Sequence, residues 1–327
     1  MTGDDFRFSI CIPTYNRAGS IRCAIDSARE NAANFDCEIV VVDNHSSDDT
    51  VAIVESLEDS RIRLVRFDET TSMYGNHNRC VEAAKGQWII FLHSDDTLPT
   101  GFLASVDRRI QSDPDADLFT NVSNIYRSED LQTISDQLSS ESRTIELIAR
   151  GLAGGGAAPS GSLYRRACFA RSGGFDTDHL YADLAICIRW MLDGRRIAHF
   201  RPDPPVWIAK PESASSNIAW LRDHWSEVGI TYRLAMDSPY REEITEAMVR
   251  AINDLAPRDR IKAMSSALGA GQRKLAWRMW REQDSPLALL IRYRFYYHVV
   301  LQSIHRRLFR ALHWRSVWLK RKLMSLH

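Results

Sequence analysis

Within its first hundred residues the chain repeats one unit: a short apolar run, a turn, an amphipathic helix, and then another apolar run. Glu38-Ile39-Val40-Val41-Val42-Asp43 is the clearest such run, β-branched throughout its interior and too short for a helix. A run of this kind suits a strand covered on both faces, which is the condition of a parallel sheet. The pattern predicts strands over Phe6 to Ile12, stopped by Pro13, then over Glu38 to Asp43, Arg61 to Arg66 and Gln87 to Leu92. Helices are expected from Ser20 to Asn31, with Ile21, Ala24, Ile25 and Ala28 on one stripe, from Val51, and from about Gly75 to Lys85. A β-α-β-α-β-α-β series makes a doubly wound, mostly parallel α/β sheet the economical fold.

A parallel sheet brings the C-terminal ends of its strands to one edge, and ligands of open α/β sheets bind there. Three such ends carry polar groups: Thr14-Tyr15-Asn16-Arg17, Asp43-Asn44, and Asp95-Asp96. Adjacent carboxylates repel unless a cation or ligand hydroxyls use them, so the last pair points to a metal-diphosphate or sugar-nucleotide site. The tetrapeptide Ser-Asp-Asp-Thr occurs twice, and context separates the copies. Ser47 to Thr50 runs into Val51, Val54 and Leu57 on one helical face, and reads as a helix cap. Ser94 to Thr97 is followed by Leu98-Pro99-Thr100-Gly101, which interrupts a helix, so this copy is assigned to ligand binding. Asp43 can accept from a base imide or a ribose hydroxyl, and Thr14 and Tyr15 offer a hydroxyl, backbone groups and a ring face. Each alone reads equally well as a turn residue; their joint placement argues for a nucleotide.

Farther on, helices are expected over Phe102 to Ser112, Thr144 to Arg150 and Leu180 to Leu192, with a strand near Leu118 to Tyr126. The Gly/Ala-rich stretch ending in Pro159-Ser160-Gly161 reads as flexible or closely approached backbone. After about residue 215 the pattern is helical, broken at Pro239, Pro257 and Pro286.

These markers resemble the family 2 glycosyltransferases, inverting enzymes of the GT-A fold that use sugar nucleotides. The resemblance covers about residues 6 to 210. It rests on Ile10 to Arg17, Val40 to Asn44, Gly75 to Gly86, Phe91 to Asp96 and Gly173-Gly174-Phe175-Asp176. It implies a nucleotide-sugar-binding half over 1–105, an acceptor-binding half over 106–212 and a helical extension over 213–327. It also implies that Thr14, Tyr15, Arg17, Asp43, Asn78 and Asp95 hold the nucleotide. Asp96, with Asp95 as a second candidate, would bind Mg²⁺ or Mn²⁺, and Asp183 would be the catalytic base that takes the acceptor's proton. Three positions depart from the family's pattern: His93 stands where many members have an acid, His77 where many have Arg, and Ala182 where an acid precedes the base.

The expected function is inverting transfer of a sugar from a UDP-, dTDP- or GDP-sugar to a glycan or lipid-linked hydroxyl, in surface polysaccharide assembly. Two rivals remain. A nucleotidyltransferase would want a Gly-rich phosphate loop after the first strand, and Pro13 to Arg17 has no glycine. A catalytically impaired nucleotide-sugar-binding or scaffold protein would suit Ala182 and His93.

Charge adds one more expectation. From Ser285 to His327 there are nine Lys/Arg and no acid, so a net-neutral chain has a body of −9 and a tail of +9. Basic residues interleaved with Phe295, Tyr296, Trp314 and Trp318 suit helices lying on an anionic membrane surface, or an appendage packed on the body or on a second subunit. No nucleic-acid partner is expected, since charge is the only sign of one. Six scattered cysteines without ligand spacing read as small buried hydrophobes in a reducing compartment. With no signal-peptide pattern at the start, the expected location is cytoplasmic, on the inner face of the cell membrane.

Overall fold

A computed structural model describes residues 6–121, 140–152, 159–177, 182–200, 207–208, 225–254 and most of 260–282. The first four strands are β1 (Phe6–Thr14), β2 (Cys37–Asp43), β3 (Ile62–Arg66) and β4 (Gly86–Phe91). They are joined by α1 (Ile21–Ala32), α2 (Thr50–Glu55) and α3 (Met73–Ala83), and all pair in parallel. After β5 (Asp96–Thr97) and α4 (Phe102–Ser112) come β6 (Leu118–Asn121), α5 (Ser140–Arg150), β7 (Leu163–Arg165), α6 (Arg166–Arg171), α7 (Ala182–Leu192) and β8 (Ile197–Phe200). The seven-stranded sheet has the order β3-β2-β1-β4-β7-β6-β8, with β7 antiparallel to both neighbours. β5 pairs with β9 (Trp207–Ile208) in a separate antiparallel ribbon. The described residues beyond it include α8 (Trp225–Met236), α9 (Arg241–Ala251) and α10 (Arg273–Arg281).

The mostly parallel sheet expected from the strand-helix alternation is present, and alternation along each strand explains its two cores. Phe8, Ile10 and Ile12 of β1, with Ile39 and Val41 of β2, face Ile21, Ala24 and Ile25 of α1 and Phe102, Leu103 and Val106 of α4. Cys11, Val40 and Val42 face the other way, toward Cys80 and Val81 of α3, Ile148 of α5 and Ile186 of α7. Every residue of β2 is buried, as its unbroken apolar run requires. The strands on either side of residue 105 lie in one sheet, and α8, α9 and α10 add Tyr232, Met248 and Met279 to the second core.

Pro13 does not stop β1. The strand continues to Thr14, and Pro13 pairs in register with Val42. The Thr14 carbonyl points toward β2, where it accepts from Asn44 N at 2.9 Å, and the Cys11 carbonyl points toward β4, accepting from Leu92 N at 2.9 Å. By alternation, the missing amide of Pro13 faces the β4 side, beyond the last β1–β4 pair at Cys11 and Phe91. A proline is tolerated where no ladder bond is required of it.

Among the described residues no helix is long and apolar enough to cross a membrane. All six cysteines are free, and all but Cys23 are buried. The basic tail from Ser285 lies outside the described residues.

Candidate functional site

The loops after β1 and β2 are stitched to each other. Asn16 N donates to Ser46 Oγ at 2.9 Å and Ser47 N donates to Asn16 Oδ1 at 2.8 Å. Arg17 N donates to Thr50 Oγ1 at 2.7 Å, and Ala18 N to Asp48 Oδ2 at 3.0 Å. Asn16 (φ 52°) and His45 (φ 68°) hold the two turns in the left-handed region, strain of the sort kept at binding edges. The first Ser-Asp-Asp-Thr is therefore more than a cap. Asp48 accepts from Thr50 N at 3.0 Å, and the same tetrapeptide fastens the loop that follows β1.

Thr14 and Asp43 pair in register at the ends of β1 and β2, both 2% exposed. Asp43 Oδ2 accepts from Ser46 N at 3.0 Å, but Asp43 Oδ1 and Thr14 Oγ1 have no partner. Asn76 of α3 donates to the Val42 carbonyl at 3.1 Å and leaves its own Oδ1 unpaired. Asp96, also 2% exposed, leaves Oδ1 unpaired. Among the described residues six buried side-chain oxygens lack a partner, and these four share the C-terminal edge of the sheet. Buried oxygens are rarely left so, and a cluster of them marks a surface waiting for a donor-bearing or cationic ligand. Tyr15, 46% exposed, stands beside them with its ring free to cover a base; Arg17 is exposed.

Beyond β4 the chain turns, with Asp96 N donating to the His93 carbonyl at 3.0 Å, and delivers His93, Asp95 and Asp96 together. One donor atom from each lies within 4.8 Å of the others. Burial pushes the Asp96 carboxyl above its ordinary value, and Asp95 adds to this, while His93 and Ser160 pull it back. The donor set is mainly hard carboxylate oxygen, which fits a divalent cation. The end of the Gly/Ala-rich stretch proves to be closely approached backbone: Gly161 N donates to the Phe91 carbonyl at 2.7 Å, and His93 N to Ser160 Oγ at 3.2 Å.

Helix α3 reaches the ends of β1 and β2, His93 and Asp183. Ser72 caps it, accepting from Gly75 N at 3.1 Å. Asn76 reaches the ends of β1 and β2. His77 lies 3.3 Å from His93, Nε2 to Nε2, and its Nδ1 is 2.8 Å from the Met73 carbonyl. Burial, with His93 close by, lowers the His77 pKa to about 3, so the ring is neutral. Tyr74, fully buried, is hydrogen-bonded to Asp183, and burial and the Asp183 charge raise its phenol pKa well above the ordinary value. Asp183 lies in the first turn of α7, 8% exposed, where the helix dipole favours a carboxylate and Leu184 N donates to its Oδ1 at 2.8 Å. Rings of Tyr74, His77, Phe91, Tyr164 and Phe175 pack at 5.0–5.8 Å and tie α3 to the approach to α7.

Asn78 has a different task from the one expected. Its Nδ2 donates to the Phe175 carbonyl and its Oδ1 accepts from Phe175 N, both at 2.9 Å, so both ends of the amide clamp the Gly173-Gly174-Phe175 turn. Asn76, Tyr74 and Ser160 were not singled out from the sequence. Asn76 had one visible signal, a polar residue on the sheet-facing side of a helix, whereas Tyr74 and Ser160 join the site only through long-range packing.

The family model described as Glycosyl transferase family 2 matches residues 9–173. A GalNAc(5)-diNAcBac-PP-undecaprenol beta-1,3-glucosyltransferase of Campylobacter jejuni is 35% identical over 103 residues, 31% of this chain and 33% of that protein. The chain spans 61% of the length of one curated relative that it matches and 25% of another. Among solved structures, Staphylococcus aureus TarS 1–349 in complex with UDP-GlcNAc superposes with a TM-score of 0.61 at 16% identity, over 91% of this chain and 89% of that one. The mannosyltransferase PcManGT of Pyrobaculum calidifontis, in complex with GDP-Man and Mn²⁺, gives 0.59 at 20% identity, over 96% and 88%. At these identities the likeness establishes a shared fold.

Proposed function

The chain belongs to glycosyltransferase family 2, and on that premise we propose that it transfers a sugar, with inversion, from a nucleoside diphosphate donor to a hydroxyl of a glycan or lipid-linked acceptor. The observation that carries this reading is the row of four partnerless buried oxygens, Thr14, Asp43, Asn76 and Asp96, at the sheet edge. A nucleoside supplies what that row lacks: base imide and ribose hydroxyl donors for Asp43 and Thr14, with the ring of Tyr15 over the base. Asp95 and Asp96, with His93 beside them, would hold Mg²⁺ or Mn²⁺. A divalent cation there would offset the charge of the departing diphosphate.

Asp183 is the base in this reading. Its carboxylate is stabilised by the start of α7 and by Tyr74, which also fixes its position relative to α3. It would take the proton from the acceptor hydroxyl as that oxygen attacks the anomeric carbon. Attack from the side opposite the diphosphate inverts the centre.

The names of relatives support the acceptor class. The Campylobacter enzyme is named for an undecaprenol-linked acceptor, and a partial relative from Rhizobium meliloti is a succinoglycan biosynthesis protein. We place the chain in surface polysaccharide assembly, at the cytoplasmic face of the membrane.

Asp183→Asn is the test. It should lower transfer by about 10²–10⁴-fold, the usual weight of a general base. Donor affinity, measured by titration calorimetry with UDP- and GDP-sugars, should stay within about two-fold, since Asp183 lies outside the edge that binds nucleotide. Retained transfer, or donor affinity lost together with it, would remove Asp183 from this role.

A further inference from the structure

Two of the three departures from the family's pattern are in contact. His77 and His93, 16 residues apart in sequence, meet Nε2 to Nε2 at 3.3 Å. Only one proton can lie between them, and the surroundings decide whose it is. The Met73 carbonyl, 2.8 Å from His77 Nδ1, can only accept, so His77 Nδ1 carries the proton. His77 is 2% exposed and, among the described residues, no carboxylate bonds it, so the ring is neutral and its Nε2 is a bare lone pair. His93 Nε2 must then be the donor. A neutral His93 in that tautomer has its own lone pair on Nδ1, and Nδ1 lies 3.8 Å from Asp96 Oδ2, within the acidic group. Two donors that each sit about 2.1 Å from one cation lie about 3–4.2 Å apart, so the spacing suits a shared ion.

We propose that His93 is a metal ligand through Nδ1, held in the required tautomer by His77, giving a cation site of one imidazole and two carboxylates. Imidazole favours Mn²⁺, Co²⁺ and Zn²⁺ relative to Mg²⁺, which prefers oxygen alone. The pair thus sets the metal preference of the site, with His77 a positioning residue one shell behind the ion. Asp96 is 2% exposed, and its Oδ1 has no hydrogen-bond partner among the described residues. The inference rests on the donor-site reading above, but its test separates the two.

The experiment is pulsed electron spin resonance on the full chain loaded with Mn²⁺, alone and with UDP, alongside calorimetric Mn²⁺ and Mg²⁺ titrations. The wild type should show ¹⁴N coupling that changes on ¹⁵N-histidine labelling. His93→Asp should bind Mn²⁺ without that coupling and move the Mn²⁺/Mg²⁺ preference toward Mg²⁺ by about ten-fold. His77→Leu should weaken Mn²⁺ binding by about ten-fold or more, the cost of losing an outer-shell partner. His77→Gln, whose carbonyl can accept from His93 Nε2, should recover much of that loss. Mn²⁺ bound to the wild type without nitrogen coupling would overturn the inference and leave the proposed activity standing. No Mn²⁺ binding, with or without UDP, would overturn the inference and the metal-assisted donor reading together.

Discussion

His77 is held where a charged ring cannot be accommodated, and this has a consequence for stability as well as for the metal site. Its pKa falls from the ordinary 6.5 to about 3, chiefly because burial penalises the cation. Between those values the unfolded chain binds a proton that the fold refuses. The contribution of neutral His77 is therefore whole above pH 6.5 and is lost progressively as pH falls toward 3. A melting-temperature series from pH 7 to pH 4 on metal-free protein should slope less steeply for His77→Gln than for wild type. Parallel curves would mean that His77 does not titrate in this way. At this scale the sequence named Thr14, Asp43, Asp95, Asp96 and Asp183 from strand ends and family resemblance. It assigned Asn78 to the nucleotide only through the family resemblance, and the fold shows its amide spent on Phe175.

At the scale of elements, α3 and the Gly173-Gly174-Phe175 turn tie the sheet edge to the approach to α7, which carries Asp183. Gly174 has φ 76°, and a Cβ there would lie 2.6 Å from Asn78 Oδ1. Gly174→Ala thus meets two costs, left-handed backbone and a displaced amide, together about 2–3 kcal/mol. In an Asn78→Ala background the amide is already gone, so Gly174→Ala should cost only the backbone part, about 1–2 kcal/mol. Urea unfolding of the four proteins in this cycle gives the coupling directly, and strict additivity would refute the clamp. The first four strands and the helices between them were legible because each is bounded by its own residues, whereas β7, β8 and α6 were not foreseen. The end of β1 was misplaced because the tolerance for Pro13 depends on where β4 stops pairing, which no local pattern records.

At the scale of the whole molecule, the −9 body gives way in sequence to the +9 tail just after α10. That helix buries Leu275, Ala276 and Met279 against the second core and turns Arg273, Lys274 and Trp277 outward. Trp277 is 61% exposed and its ring stacks on Trp280 at 5.0 Å, an aromatic pair amid cations of the kind that sits at a lipid headgroup layer. The full chain should sediment with anionic vesicles at low salt and be released near about 0.5 M, where the Debye length is short. Trp277→Ala with Trp280→Ala should weaken this several-fold, and ending the chain at residue 284 should remove most of it. Equal binding by all three proteins would exclude a membrane role for this end.

The sequence by itself determined the parallel sheet, the edge at which its acids gather and the family, because strand periodicity and strand-end chemistry are local and survive in one dimension. It also displayed His77 and His93 as two separate oddities. Only the tertiary structure decided that they are one feature. A tautomer is fixed by what each nitrogen faces, and those partners come from the Met73 carbonyl, from α3 lying against the end of β4, and from the turn that returns Asp96 to His93. The same is true of the partnerless oxygens: being buried and unsatisfied is a property of the packed molecule, and no residue carries it alone.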